Sequence, residues 1–428
     1  MANASPRSKY FRIFLISVIA FSSISAAVMF TLMNSGLYKY EEPDYEGVAF
    51  KNIDVFVGDG TVLQDQTVII RKDEIQCVGT DCEIPADFRI VDGTDLSLMP
   101  GLVDMQCGFY SLDVAQQQEG AFSQTLDLIK QHPSTRKDYQ LAGVTSIRSV
   151  GDAIDNILLL RKQLQDKEFQ GPRLFVAGPT LTAPEGYPAV LFQGDDYLTE
   201  QATRQISSTQ EGIEQVQWMA DNRVNGIRIS YYEGKGEHPR IAAETLNALV
   251  KAANDRSLWV SVLTESNEEI QAAIGAGANM IEYGTDAELD SLTLSQLKAS
   301  DVLYIPALKN HPTDPQRLEN AEILYRDSVQ LGIGAGAKTG GAFGSSLIEE
   351  MLELERIGMP APEILQSATT TAARYLKSDH HLGLIKPRYL ADLLIVKGAP
   401  WEEISALQNV QYVVQGGVIV VDQGKLVE

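Results

Sequence analysis

Basic residues are in short supply. The chain of 428 residues carries 35 Lys and Arg against 57 Asp and Glu, a formal charge of -22 with a pI near 4.7. Phosphate recognition needs a basic footprint, so nucleic acid is excluded as a partner. Tandem repeats and low-complexity tracts are absent, and 44% hydrophobic with 21% charged residues argues against disorder as the default state. Histidine is scarce, with five in the chain at 132, 238, 311, 380 and 381. None falls at the end of a strand-like segment, which bears on metal chemistry below. His380 and His381 are neighbours near the end of a helix-like stretch and read as a solvated cap. Cysteine is limited to three.

Long uncharged runs are missing except for one. Residues 13–33, "IFLISVIAFSSISAAVMFTLM", hold no charge. As a helix they would span about 31 Å, enough for a hydrocarbon core of roughly 30 Å. Arg7, Lys9 and Arg12 precede the run, and Glu41, Glu42, Asp44 and Glu46 follow it. That polarity predicts a cytoplasmic tail (1–12), one transmembrane helix (13–33), a linker (34–45) and a globular part on the periplasmic or extracellular side. The small residues at 25–27 leave open a cleaved signal peptide and a secreted product. In either case the compartment is oxidising. Cys77 and Cys82 bracket a turn-like "VGTD" and are the candidates for a disulfide. Cys107 is expected to be a buried, inert thiol.

What is present after the linker is alternation. Short strand-like segments, including "GVAFKNIDVFVGDG" and "TVLQDQTVIIRKDEIQCVG", run to about residue 98 and resume at 387–428. Both ends together are expected to make one small β-sandwich domain, 46–98 plus 387–428. Between them, eight strand-like segments (102–106, 144–150, 173–178, 226–230, 259–263, 279–284, 302–307 and 333–337) alternate with amphipathic stretches. That count and length predict an α/β fold, a (β/α)8 barrel over 99–386.

Six stretches in order, among them "LMPGLVDM", "GVTSIRSVGD", "GPRLFVAGPTLTAPEGYPA" and "SATTTAARYL", carry a resemblance. From about residue 46 to its end the chain resembles the amidohydrolase superfamily, in its imidazolonepropionase-like and prolidase-like branch. The resemblance implies a barrel hydrolase acting on C–N bonds with one or two divalent metals. Its ligands would be His-x-His after strand one, a carboxylated Lys at strand four, a His each at strands five and six, and an Asp after strand eight.

This sequence departs at each of those positions. Gln106 and Gly108 stand for His-x-His, Arg228 for the Lys, Leu263 and Tyr283 for the single His residues, and Gly340 for the Asp, with Lys338 two residues before it. Tyr187 replaces a loop His after strand three. A guanidinium stays protonated and cannot take up CO2 as a neutral amine does. The expectation is therefore a shell without metal or other cofactor, its pocket lined by Gln106, Tyr187, Arg228, Glu265, Tyr283 and Lys338. Arg228 is expected to pair with Glu265. Such a shell would bind an unidentified ligand or a related barrel as homo- or hetero-oligomer. The alternative is a hydrolase with a rebuilt site, using Glu265 as base with Tyr187, Tyr283 and Lys338 on an oxyanion.

Overall fold

The structure, a computed structural model, describes residues 37–108, 133–192, 194, 196–310, 314–336 and 343–427. Five strands open it: β1 (Gly47–Phe56), β2 (Val62–Arg71), β3 (Glu74–Gly79), β4 (Arg89–Asp92) and β5 (Leu96–Pro100). The barrel region follows with β6 (Leu102–Cys107), β7 (Val144–Ser149), β8 (Arg173–Val176), β9 (Thr180–Thr182) and β10 (Thr203–Gln205). It continues with β11 (Gly226–Ser230), β12 (Trp259–Leu263), β13 (Met280–Glu282) and β14 (Leu303–Ile305). The chain ends with β15 (Leu393–Lys397), β16 (Val410–Gln415), β17 (Val418–Asp422) and β18 (Lys425–Leu426).

Both chain ends build one nine-stranded sheet, joined where β15 pairs antiparallel with β5. Its alternating apolar positions meet on one face. Val48, Phe50, Val68, Ile70, Leu393, Ile395, Val414 and Ile419 share a single buried core. Phe50 of β1 touches Tyr412 of β16, ring centroids 5.9 Å apart, although β5 and β15 lie between those strands in the sheet. The sheet therefore curls over its own core. Cys77 and Cys82 are joined by a disulfide that packs with Ala49, Ile69 and Phe88 on the other face of the sheet. Titration of thiols under denaturing, non-reducing conditions should find one per chain, Cys107; finding three would refute the pairing.

The barrel strands run parallel, and their outward residues, such as Ile227, Ile229, Val260, Val262 and Ile281, pack on the surrounding helices. Helix starts follow from local chemistry. Ser266 and Glu269 form a reciprocal capping box for Asn267–Ala276, and Ser208, Asp290 and Asp314 cap three other helices. The eighth strand expected at 333–337 is not an assigned strand, yet this segment closes the barrel. Gly332 N donates to Tyr304 O on one side (2.8 Å), and Met105 N to Ile333 O on the other (2.9 Å). Glycine permits this closure, since a Cβ on Gly334 would lie 2.5 Å from Gln106 Cβ.

Residues 13–33, the expected transmembrane helix, lie outside the described residues; among these, no helix is long and apolar enough to cross a membrane. The start of the described chain is tied down. Arg136, fully buried, donates to the carbonyls of Leu37, Tyr38 and Gln170, and its guanidinium lies over the rings of Phe169 (4.8 Å) and Tyr38 (5.7 Å). Gln170 lies three residues before the start of β8, so this attachment sits at the N-terminal end of the barrel.

Candidate functional site

In a parallel barrel the chemistry sits where the strands end. Here the inward positions below that end carry charge. Arg148 of β7 reaches across the interior: Nη1 donates to Ser261 Oγ (2.9 Å) and Nη2 to Glu282 Oε1 (2.8 Å), while the guanidinium lies 5.3 Å from the Trp259 ring. Arg228 of β11 donates from Nε to the other oxygen, Glu282 Oε2 (2.8 Å). One buried carboxylate thus holds two guanidiniums. Burial alone would push Glu282 up, but Arg228 and Arg148 pull it down to about 2. Burial opposes the charge on Arg228, and Glu282 more than restores it, leaving its pKa above the ordinary value.

The expected Arg228–Glu265 pair is corrected here. Arg228 does pair with a carboxylate, but with one from strand six. Alternation along β13 turns Glu282 inward beside Leu263, its partner in register on β12. Glu265 lies past the end of β12, in a loop whose amides at Glu265 and Ser266 donate to Glu269 Oε2. That geometry carries Glu265 outward to Arg317, 3.8 Å away, and to the Tyr232 hydroxyl. Burial, then nearby Asp286, raises the pKa of Glu265; burial and Glu265 push Tyr232 up to about 12.

Gln106 is 1% exposed, and neither polar atom of its carboxamide has a hydrogen-bond partner among the described residues. Gly108 follows the end of β6. Tyr283, with φ 65°, turns the chain off β13, and its carbonyl accepts from Arg317 Nη1. Tyr187 precedes a cis proline; its ring meets Tyr232 (4.8 Å) and His238 (5.9 Å). Lys338 and Gly340 lie outside the described residues. Glu282 and Arg148 were not expected from sequence, and the only available signal was strand alternation. His238 and Tyr232 come from a loop with no periodic pattern to mark them, and His238 proves to stand at the mouth.

Behind the strands lies a second acidic pair. Asp104 Oδ1 accepts from the amides of Gln106 (3.0 Å) and Ala335 (3.1 Å), and Glu350 accepts from those of Leu308 and Lys309. Burial raises each to about 7; the charge of Asp104 adds to the rise of Glu350, while Arg148 works against that of Asp104. Cys107 is buried on the same outer side, and burial pushes its thiol well up. Among the described residues no three His, Cys, Asp or Glu form a group able to hold a metal ion.

The profile of the amidohydrolase family matches residues 98–427. An uncharacterized protein of Mycobacterium tuberculosis is 25% identical over 343 residues, 75% of this chain and 84% of that one. The structure is similar to that of a Xaa-Pro dipeptidase with bound methionine in the active site (25% identity, TM-score 0.75, covering 87% of this chain and 99% of that one). It is similar in fold to a putative prolidase from Bifidobacterium longum (22%, TM-score 0.74, 90% and 97%) and to A. niger ochratoxinase (18%, TM-score 0.75, 89% and 97%). With its TIM-barrel-like array of parallel strands and a family match over most of its length, this chain belongs to the amidohydrolase family.

Proposed function

We propose that the barrel mouth of this chain is a ligand-binding site that works without the divalent metal of its family. The observation that carries this reading is the Arg148–Glu282–Arg228 triad. The side chains do not fit a dication. A metal site needs three or four Cys, His or carboxylate ligands around one point. Among the described residues the strand-end positions offer an amide, a leucine and a tyrosine, and the inward carboxylate, Glu282, is held by two guanidiniums. A fixed positive charge repels an incoming dication, and more so where water is excluded. Elemental analysis of gently purified protein should find no stoichiometric zinc, manganese or iron; about one equivalent per chain would overturn the proposal.

A second reading, hydrolysis of C–N bonds by a rebuilt site, is favoured by the likeness to a Xaa-Pro dipeptidase and by Glu265, whose raised pKa and Tyr232 contact suit a general base. Under that reading, turnover of Xaa-Pro dipeptides by the metal-free protein should fall at least about 100-fold in Glu265→Gln. If the wild-type protein shows no turnover, this second reading is abandoned.

The proposal also keeps the chain at a membrane through residues 13–33, with the barrel outside the cytoplasm and a related barrel as its partner. The disulfide supports an oxidising compartment. Added protease should digest the barrel in intact spheroplasts; protection there would reverse the orientation.

A further inference from the structure

We infer that the mouth binds a small organic carboxylate, held by Arg228 together with Thr180, Ser230 and Gln106. The inference rests on the metal-free reading above and adds the chemical class of the ligand. Arg148 and Arg228 share the one carboxylate of Glu282, and among the described residues no other Asp or Glu forms an ion pair with either. Among the described residues the triad thus carries one net positive charge, and Arg228 within it is only 7% exposed. A buried charge without a counter-ion is costly, and a bound anion removes that cost.

The surplus charge is surrounded by idle hydrogen-bonding groups. Arg228 uses Nε on Glu282, and its two terminal amino groups make no hydrogen bond among the described residues. The pairing of Ile229 with Leu181 turns both of those side chains outward, so their neighbours Arg228, Ser230 and Thr180 face the interior. The hydroxyls of Thr180 and Ser230 are buried and have no partner among the described residues. A Cβ built on Gly151 would lie 3.7 Å from Thr180 Oγ1 and 3.8 Å from Arg228 Nη1, so both groups front the same bare patch of backbone. Gln106 adds an unpartnered carboxamide from the first strand.

One surplus charge is neutralised by a monoanion, whereas a phosphate dianion would reverse the imbalance. The free edge of a guanidinium suits the two oxygens of a carboxylate. Tyr187 is near enough to Arg228 to raise its pKa, and with Tyr232 and His238 it forms an aromatic wall for the body of the ligand.

Calorimetric titration of the full-length chain in detergent, with N-acetyl-L-proline, N-acetyl-L-prolinamide and inorganic phosphate, tests this. The acid should bind saturably, with the neutral amide and phosphate at least about tenfold weaker. Arg228→Met should weaken the acid by roughly 10- to 100-fold, because two charge-assisted hydrogen bonds are lost. Should that variant fail to fold, Thr180→Val with Ser230→Ala leaves the charge unchanged and should still weaken binding. No binding of the acid, equal binding of the amide, tighter binding of phosphate, or indifference to both sets of substitutions would overturn the inference. Metal content measured on the same sample separates the two ideas. Metal-free protein that ignores the acid refutes the ligand class alone, and stoichiometric metal refutes the reading beneath it.

Discussion

Glu282→Leu is expected to cost about 3–5 kcal/mol of folding stability, more than any other single substitution in the barrel interior. It strands two buried guanidiniums at once. The pH dependence of the wild type gives the same magnitude. In the folded state Glu282 sits at about 2 rather than the ordinary 4.5, a difference corresponding to about 3 kcal/mol. A depressed carboxylate contributes this stability above its unfolded value. The contribution is therefore complete above about pH 4.5 and is lost as pH falls toward 2. Arg228→Met should cost less, because Arg148 keeps its carboxylate, although Glu282 loses the stronger of the two charges that hold its pKa down. Denaturant unfolding at pH 7 of the two variants decides it. A Glu282→Leu protein within about 1 kcal/mol of wild type would show that water reaches the triad.

Asp104→Asn should stabilise the protein at pH 8 by up to about 4 kcal/mol and leave it nearly unchanged at pH 4. The folded-state value of about 7 lies above the ordinary 3.8 because the carboxyl is buried, with one oxygen unpartnered. A raised carboxyl contributes stability below its unfolded value, and loses it as pH rises through the folded one. Wild-type stability should therefore decline between about pH 4 and pH 7, in a range where the Glu282 contribution is already constant. Asparagine keeps an oxygen for the amides of Gln106 and Ala335 and carries no charge to bury. Glu350, also near 7, adds a decline of the same sign, so the variant should reduce the slope without abolishing it. A slope unchanged by the substitution would mean that Asp104 is ionised in the folded protein.

The strand ends were legible because a strand reveals itself by period and a barrel by repetition. Segments 226–230 and 259–263 were placed to the residue, since apolar residues alternate with inward polar or special ones in both. The eighth segment was placed but misread in type, because glycines at 332, 334 and 336 let it pair without regular strand geometry. The N- and C-terminal strands were expected together as one small β-sandwich; in the structure they share one nine-stranded sheet. That β5 and β15 join them into a single curled sheet is a matter of long-range pairing, on which local pattern is silent.

In the site, sequence identified Arg228 as a cation that needed a carboxylate. It failed on the partner because spacing along the chain does not say where a strand stops. Glu265 is two residues beyond β12 and already in the loop, while Glu282 is the last residue of β13 and still faces in. Arg148 escaped notice for a simpler reason. It occupies an inward position on β7, a strand to which the resemblance assigns no ligand, so alternation alone marked it.

The Arg136 attachment has a mechanical consequence. Its guanidinium rivets the carbonyls of Leu37 and Tyr38 to that of Gln170, ahead of the first strand of the curled sheet. A pull on the chain before residue 37 is therefore borne by the barrel wall and does not peel Gly47–Phe56 from its neighbours. The load path enters at the end of the barrel opposite the mouth, so the protein can be tugged from its N-terminus while the mouth keeps its shape. Pulling from that end in optical tweezers should show Arg136→Ala releasing the curled sheet at lower force than wild type, and equal forces would show that the rivet carries no load.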